Sequence, residues 1–336
     1  MAKARPDSVS SPVPVVVMGL GSIGLEIAKA AARNEEVTLI GAVDNSPHLV
    51  GKKLSDIVRE PIGTMKVVAS LKEAVGRRPG VVLLHATGSR LPQVQSQLEE
   101  AIGLGLCVVS TCEELAFPWF RHPEAAEKLE ALARKKGVSV LGTGVNPGFV
   151  LDRLPALLGQ VVGPVRHVTA RRVVDARTRR LALQRKVGAG LTEDEFLTLV
   201  DKEQLGHVGL LESAALCALG VGLDCDDFEE EIVPVIADED LTGAFAVKKG
   251  LVAGIHQTAV GLENGQERVR LELTIALGAE GPGDEVVLDA DPKVTLRIDG
   301  GVAGDGATAN LVVHAAPRIQ QADPGVMTVL DLPVGR

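Results

Sequence analysis

Strand and helix alternate through the first half of this 336-residue chain, and apolar and polar residues alternate in the second. Together these predict an α/β protein: a doubly wound parallel sheet followed by a second α+β domain built on an antiparallel sheet. A third observation sits at the first strand–helix junction. The apolar strand Val15–Met18 runs into Gly19-Leu20-Gly21-Ser22-Ile23-Gly24, which opens a helix. The glycines permit a tight turn, close approach of a pyrophosphate and packing of the helix on the strand. Free N–H groups at the helix start then hold phosphate. Asp44 ends the next apolar strand, Val37–Val43, and lies 20 residues beyond Gly24, where a carboxylate accepts from an adenosine ribose. The unit is a Rossmann-type site for a dinucleotide, and a nicotinamide one is expected.

Four further strands are expected at Met65–Ala69, Val81–His85, Cys107–Ser110 and Val138–Leu141, with helices at Ile23–Arg33, Leu71–Val75, Leu91–Leu104 and Glu124–Lys136. Ligands of such sheets bind beyond the carboxyl ends of the strands. The loops at Asp44, His85–Arg90, Ser110–Glu114 and Gly142–Phe149 should therefore line one crevice, with Ala86, Thr87 and Gly88 against the cofactor. After about residue 150 the pattern changes. Val269, Leu271, Leu273, Ile275 and Leu277 alternate with wetter residues, and Glu263-Asn264-Gly265-Gln266 supplies a hairpin turn after Val252–Leu262. Another strand is expected at Val294–Ile298 and a helix at Ala307–Gln320. The resulting division is a dinucleotide-binding domain at 1–150, with 305–336 packing back on it, and a substrate-binding and dimerisation domain at 151–304.

Composition narrows the function. A net charge of −9, one Trp, six Phe and no Tyr argue against nucleic-acid binding. No apolar run is long enough to span a bilayer, and the polar first fourteen residues resemble no signal peptide, so a cytoplasmic protein with a frayed end ahead of Pro14 is expected. Cys107, Cys112, Cys217 and Cys225 lack metal-ligand spacing and read as buried thiols; no metal site is expected. The acidic stretch Asp224–Glu231 reads as a solvated face or helix start. The Arg-dense stretch Arg166–Lys186 reads as a solvated strand and loop rather than an anion-binding patch.

The crevice loops contain one pair of adjacent carboxylates, Glu113 and Glu114. Ser110 with Glu113, or Thr111 with Glu114, fits a helix-capping box. Only one such box can form, which leaves the other glutamate to project beside the nicotinamide as a proton shuttle. Cys112 is an alternative nucleophile, disfavoured because no histidine base lies near it in sequence. Asn146, before Pro147, is held extended; its amide can meet cofactor or substrate. Phe149, Val150, Leu154, Val168 and Val173 are candidate pocket walls, and Arg166 or His256 is placed to meet a substrate carboxylate.

Seven segments carry a resemblance. They are HATGSR at 85–90, STCEELAFPW at 110–119, GTGVNPGFVLD at 142–152, QRKVGAGLTEDEF at 184–196, GHVGLLES at 206–213, VAGIHQTA at 252–259 and GDGATANLVVHAAPRI at 304–319. In order, over nearly the whole chain, they resemble the 2,4-diaminopentanoate dehydrogenases and native amine dehydrogenases, whose first domain is similar to that of dihydrodipicolinate reductase. That reductase's paired histidines, downstream lysine and Ser-Gly-Thr loop are missing here. The resemblance implies NAD(P)-dependent oxidative deamination of a small amine, reversible as amination of a ketone or aldehyde by ammonia, in a homodimer packed through the second sheet. It places the catalytic glutamate in the Glu113–Glu114 pair, with Glu113 preferred and Glu114 closing the box on Thr111. Asp44, with no Arg or Lys among the seven residues after it, favours NAD; the Ser46 hydroxyl can meet a 2′-phosphate, so NADP is accommodated. The competing readings are a dihydrodipicolinate reductase-like imine or carbonyl reductase and a non-catalytic dinucleotide sensor.

Overall fold

The computed structural model describes residues 11–178, 181–242 and 245–335; the expected fraying before Pro14 falls largely outside them. The first sheet holds seven parallel strands: β1 (Val13–Met18), β2 (Val37–Val43), β3 (Val67–Val68), β4 (Val82–His85), β5 (Cys107–Ser110), β6 (Ser139–Gly142) and, from the far end of the chain, β13 (Gly325–Met327). Their order is β13-β6-β5-β4-β1-β2-β3. Helices α1 (Ser22–Arg33), α2 (Leu54–Val58), α3 (Leu71–Val75), α4 (Leu91–Gly103) and α5 (Pro123–Lys136) belong to this half. Alternate residues of β1 enter opposite cores. Val15 and Val17 meet Ile27 of α1, whereas Val16 lies in the cluster of Leu71, Leu91 and Val94. Burial on both faces explains why these strands read as continuous apolar runs. It also leaves the strand ends as the place where ligands can reach the sheet.

The second sheet comprises β7 (His167–Asp175), β8 (Asp227–Ile236), β9 (Val252–Glu263), β10 (Gln266–Ala276), β11 (Gly283–Asp289) and β12 (Val294–Asp299). Its order is β12-β11-β7-β10-β9-β8. It is mixed rather than antiparallel throughout, because β7 pairs parallel with β10. Helices α6 (Arg153–Gly159), α7 (Leu181–Lys186), α8 (Glu193–Asp201) and α9 (Leu210–Val221) surround it; three of them lie between β7 and β10, long enough to return the chain in the same direction. The last helix, α10 (Gly304–Ile319), lies beside α1 and leads into β13 on the edge of the first sheet.

The acidic stretch from Asp227 is not a helix start but a solvated face, carried on the edge strand β8. Exposed Glu229 and Glu231 on an edge discourage pairing with another chain. Among the described residues no helix is long and apolar enough to cross a membrane.

A buried ion pair ties β7 to β11. Arg172 Nη1 donates to both oxygens of Asp284 (2.7 and 2.8 Å), Nη2 donates to the Val302 carbonyl, and Asp284 also accepts from Val302 N–H. Removing one partner strands a charge in a poorly solvated site. Asp284→Ala is therefore expected to lower stability by about 3 kcal/mol, measured by urea denaturation at neutral pH.

Candidate active site

The loops after β1, β4, β5 and β6 converge on a cavity of about 370 Å³, whose far wall comes from the second sheet and α10. Each glycine of the first turn has its own constraint. Gly19 has φ +87°, and a Cβ there would lie 2.5 Å from the Ala86 carbonyl oxygen. A Cβ on Gly24 would fall 1.7 Å from the Gly19 oxygen, so no side chain fits. Gly21 meets nothing within 4 Å and lines the cavity with Ser22 and Ile23. No side chain caps α1, which leaves its first N–H groups available to an anion. Asp44 Oδ2 accepts from Leu20 N–H (2.7 Å) and Oδ1 from Ser46 N–H (2.8 Å), binding the end of β2 to the turn. Each oxygen retains a further lone pair. Ala86, Thr87 and Gly88 continue the wall.

The two glutamates of the turn after β5 have different surroundings. Ser110 Oγ accepts from Cys112 N–H (3.0 Å), and no side chain caps the short 3-10 turn Glu113–Ala116. The expected box between Thr111 and Glu114 does not form. Glu114 instead points back and caps α4: its Oε2 accepts from Leu91 N–H (2.7 Å) and pairs with His122 Nε2 (2.8 Å), with Arg90 3.6 Å from Oε1. Its acceptors are committed to neighbouring protein groups. Glu113 lines the cavity with Thr111 and Cys112. Burial pushes the Glu113 carboxyl above the ordinary carboxylate range, opposed by the Lys186 charge and the Ser89 hydroxyl. Burial drives the Cys112 thiol up to about 12, and its Sγ contacts the Ser89 carbonyl, so it is a poor source of thiolate.

Beyond β6, Asn146 and Pro147 line the cavity and are joined by a cis peptide. The Asn146 amide lies 2.9 Å from His207 Nε2. Buried Asp152 shapes this loop by accepting from Gly148 N–H (2.7 Å), Arg153 N–H (2.6 Å) and the Ser213 hydroxyl (2.9 Å). Gln257 holds the backbone of His207 on both sides, accepting from its N–H (2.8 Å) and donating to its carbonyl (2.9 Å). Burial and the Lys186 charge push the His207 imidazole down to about 4, so it is neutral at ordinary pH.

The second domain contributes Arg172 and Val174 of β7, Leu273 and Ile275 of β10, Lys186 and His207, while α10 adds Asp305 and Thr308. The expected walls lie elsewhere. Val150 and Val168 are in the second domain's core, with Phe149 and Leu154 packed against it. Val173 points to the other face of β7, because its two strand neighbours face the cavity. His256 shares that outer face, with Nδ1 2.9 Å from Thr274 Oγ1. Arg166 pairs with Asp289 at the exposed strand end (2.5 Å) and does not reach the cavity. Among the described residues, no cluster of His, Cys, Asp or Glu is placed to hold a metal.

A Gly-x-Gly-x-x-Gly turn beside a carboxyl-bearing cleft, at the strand ends of a parallel sheet, is the arrangement of a Rossmann-type dehydrogenase. Residues 149–336 match the sequence model of the 2,4-diaminopentanoate dehydrogenase C-terminal domain, and the chain belongs to that family. It is 28% identical to 2,4-diaminopentanoate dehydrogenase of Acetoanaerobium sticklandii, covering 96% of this chain and 94% of that one. It is 22% identical to amine dehydrogenase of Streptomyces virginiae, covering 96% of each. The solved amine dehydrogenase of Mycobacterium smegmatis superposes with a TM-score of 0.82 at 24% identity, over 97% of this chain and 98% of that structure.

The two glutamates should separate in stability measurements. Loss of Glu114 leaves Leu91 N–H and His122 without their acceptor, so Glu114→Ala should cost about 2 kcal/mol in chemical denaturation. Glu113 behaves oppositely. Its raised folded-state pKa means that stability falls as pH rises from the ordinary carboxyl value through the folded one. Glu113→Gln should therefore raise Tm over the parent at pH 8 and lose that advantage near pH 4.

Proposed function

We propose that the chain is an NAD(P)-dependent amine dehydrogenase that interconverts a small amine with its ketone or aldehyde, using Glu113 as the proton shuttle. The observation that carries this reading is a half-buried carboxyl, its pKa raised by desolvation, in the cavity that also contains the glycine turn. The family membership and the two named relatives support the reaction class.

The residues fit a dinucleotide: the open face of Gly21 and the uncapped start of α1 would take the pyrophosphate, and Asp44 the adenosine ribose. The nicotinamide supplies hydride transfer; the protein supplies position and electrostatics. In the amination direction, Glu113 takes a proton from ammonium so that free ammonia can attack the carbonyl. Its protonated form then returns that proton to the departing hydroxyl, which leaves as water, and the carboxylate stabilises the iminium cation. Asn146 and Pro147 shape the adjacent wall. A homodimer through the open face of the second sheet, where Thr169, Val173 and Val260 are half-buried, completes the reading.

The decisive assay is NADH oxidation with small ketones and aldehydes, with and without concentrated ammonium, at mildly alkaline pH. Ammonia-dependent turnover is expected. Turnover without ammonia would instead indicate a carbonyl or imine reductase, and NADH binding with no turnover a sensor. Glu113→Gln should reduce amination at least about 100-fold while NADH still binds, read by fluorescence titration. Asp44→Ser should weaken NADH by about tenfold and narrow its advantage over NADPH, since the ribose loses its carboxylate acceptor.

A further inference from the structure

A second cavity, of about 550 Å³, adjoins the first and shares Gly88, Ser89, Lys186 and His207 with it. It is bordered by charged groups of both signs, among them Arg90, Arg121, Glu203 and Glu230. The cations of the two cavities differ in one respect. Arg172 is held by Asp284, Arg90 by Glu203 and Glu114, and Arg121 by Glu212 at 2.8 Å. Among the described residues lining either cavity, Lys186 is the one permanent cation with no carboxylate within ion-pair distance. It stands at the junction, and its charge is felt by both Glu113 and His207.

We propose that Lys186 is the specificity-determining counter-ion of the site: the amine, or the ketone it forms, carries a carboxylate that pairs with the Lys186 ammonium while the reacting carbon lies beside Glu113. This rests on the amine dehydrogenase reading and names the substrate class within it. A Lys186 ammonium donates to a carboxylate at the end of α7, whereas an uncharged alkyl chain of the same length leaves it with water alone. The charges of the neighbouring arginines are already compensated by carboxylates of the protein, so each offers a substrate anion less attraction than Lys186 does. The Arg-dense stretch ending at Lys186 thus contributes its terminal cation to the cleft, while Arg166 and Arg172 serve ion pairs within the sheet.

The test uses a matched pair of carbonyl substrates, 4-oxopentanoate and 2-pentanone, with ammonia and NADH. Wild type should show the higher kcat/KM with 4-oxopentanoate. Lys186→Met should lower the ratio of the two kcat/KM values about tenfold, the scale of one charged hydrogen bond in a half-open site, and Lys186→Arg should retain most of it. Any effect of Lys186 acting through Glu113 is common to both substrates and cancels in the ratio. A wild type that prefers 2-pentanone, or a ratio unmoved by Lys186→Met, overturns the assignment. Absence of ammonia-dependent turnover with every carbonyl, in wild type that still binds NADH, overturns the underlying reading instead.

Discussion

A single buried carboxylate, Glu114, fixes the geometry on which the site depends. The start of α4 presents an N–H that needs an acceptor, and the turn after β5 passes directly beside it. By accepting from Leu91 N–H and pairing with His122, Glu114 binds that turn to α4 and directs it away from solvent. Adjacent residues of a tight 3-10 turn project in different directions. With Glu114 turned into the protein, Glu113 is left at the cavity wall. The pair therefore divides by role: one carboxylate satisfies a helix end, and the other faces the cavity.

Around this turn the protein uses buried polar contacts as fasteners between loops. Asp152 gathers Gly148, Arg153 and Ser213 at full burial, which would be costly without its donors. Gln257 reaches from β9 to both backbone groups of His207. The close packing extends to Gly209, where a Cβ would lie 2.6 Å from the Pro147 ring and 2.9 Å from Glu113 Cβ. The stem of Glu113 is thus confined between the β6 loop and the start of α9. This confinement desolvates its carboxyl and raises its pKa, so packing and proton affinity have the same cause.

The first domain was readable because its signals are local. Strand, Gly-x-Gly-x-x-Gly turn, helix and acidic strand end lie within thirty residues, and each glycine answers a contact made by its own turn or by the adjacent Ala86 loop. The cavity's far wall was not readable, because it depends on long-range register. Whether Val173 or its neighbours face the cleft is decided by the pairing of β7 with β10 and β11, which the sequence of β7 alone does not contain. Arg172 shows the same limit, since only the fold brings Asp284 to it. His207 and Lys186 stood in recognisable segments, yet nothing local separated a cavity-facing His or Lys from a solvated one. Glu114 shows the limit again: a box with Thr111 is the local solution, but Leu91 and His122 offer better partners through tertiary contact.

The chemistry proposed for Glu113 accounts for why burial is useful there. Ammonia attacks a carbonyl only as the free base, which is abundant under alkaline conditions, whereas the departing hydroxyl needs a proton donor. An ordinary carboxyl is almost wholly ionised where free ammonia is available and so donates poorly. Desolvation raises the proton affinity of Glu113 and narrows that gap, while the nearby Lys186 charge limits the rise so that the ionised form remains accessible for the opposite step. Efficient shuttling requires both forms within reach of the working pH. The opposed effects of burial and one cation on a single carboxyl act toward that condition, with the thiol of Cys112 held protonated beside it and excluded from competing as a nucleophile.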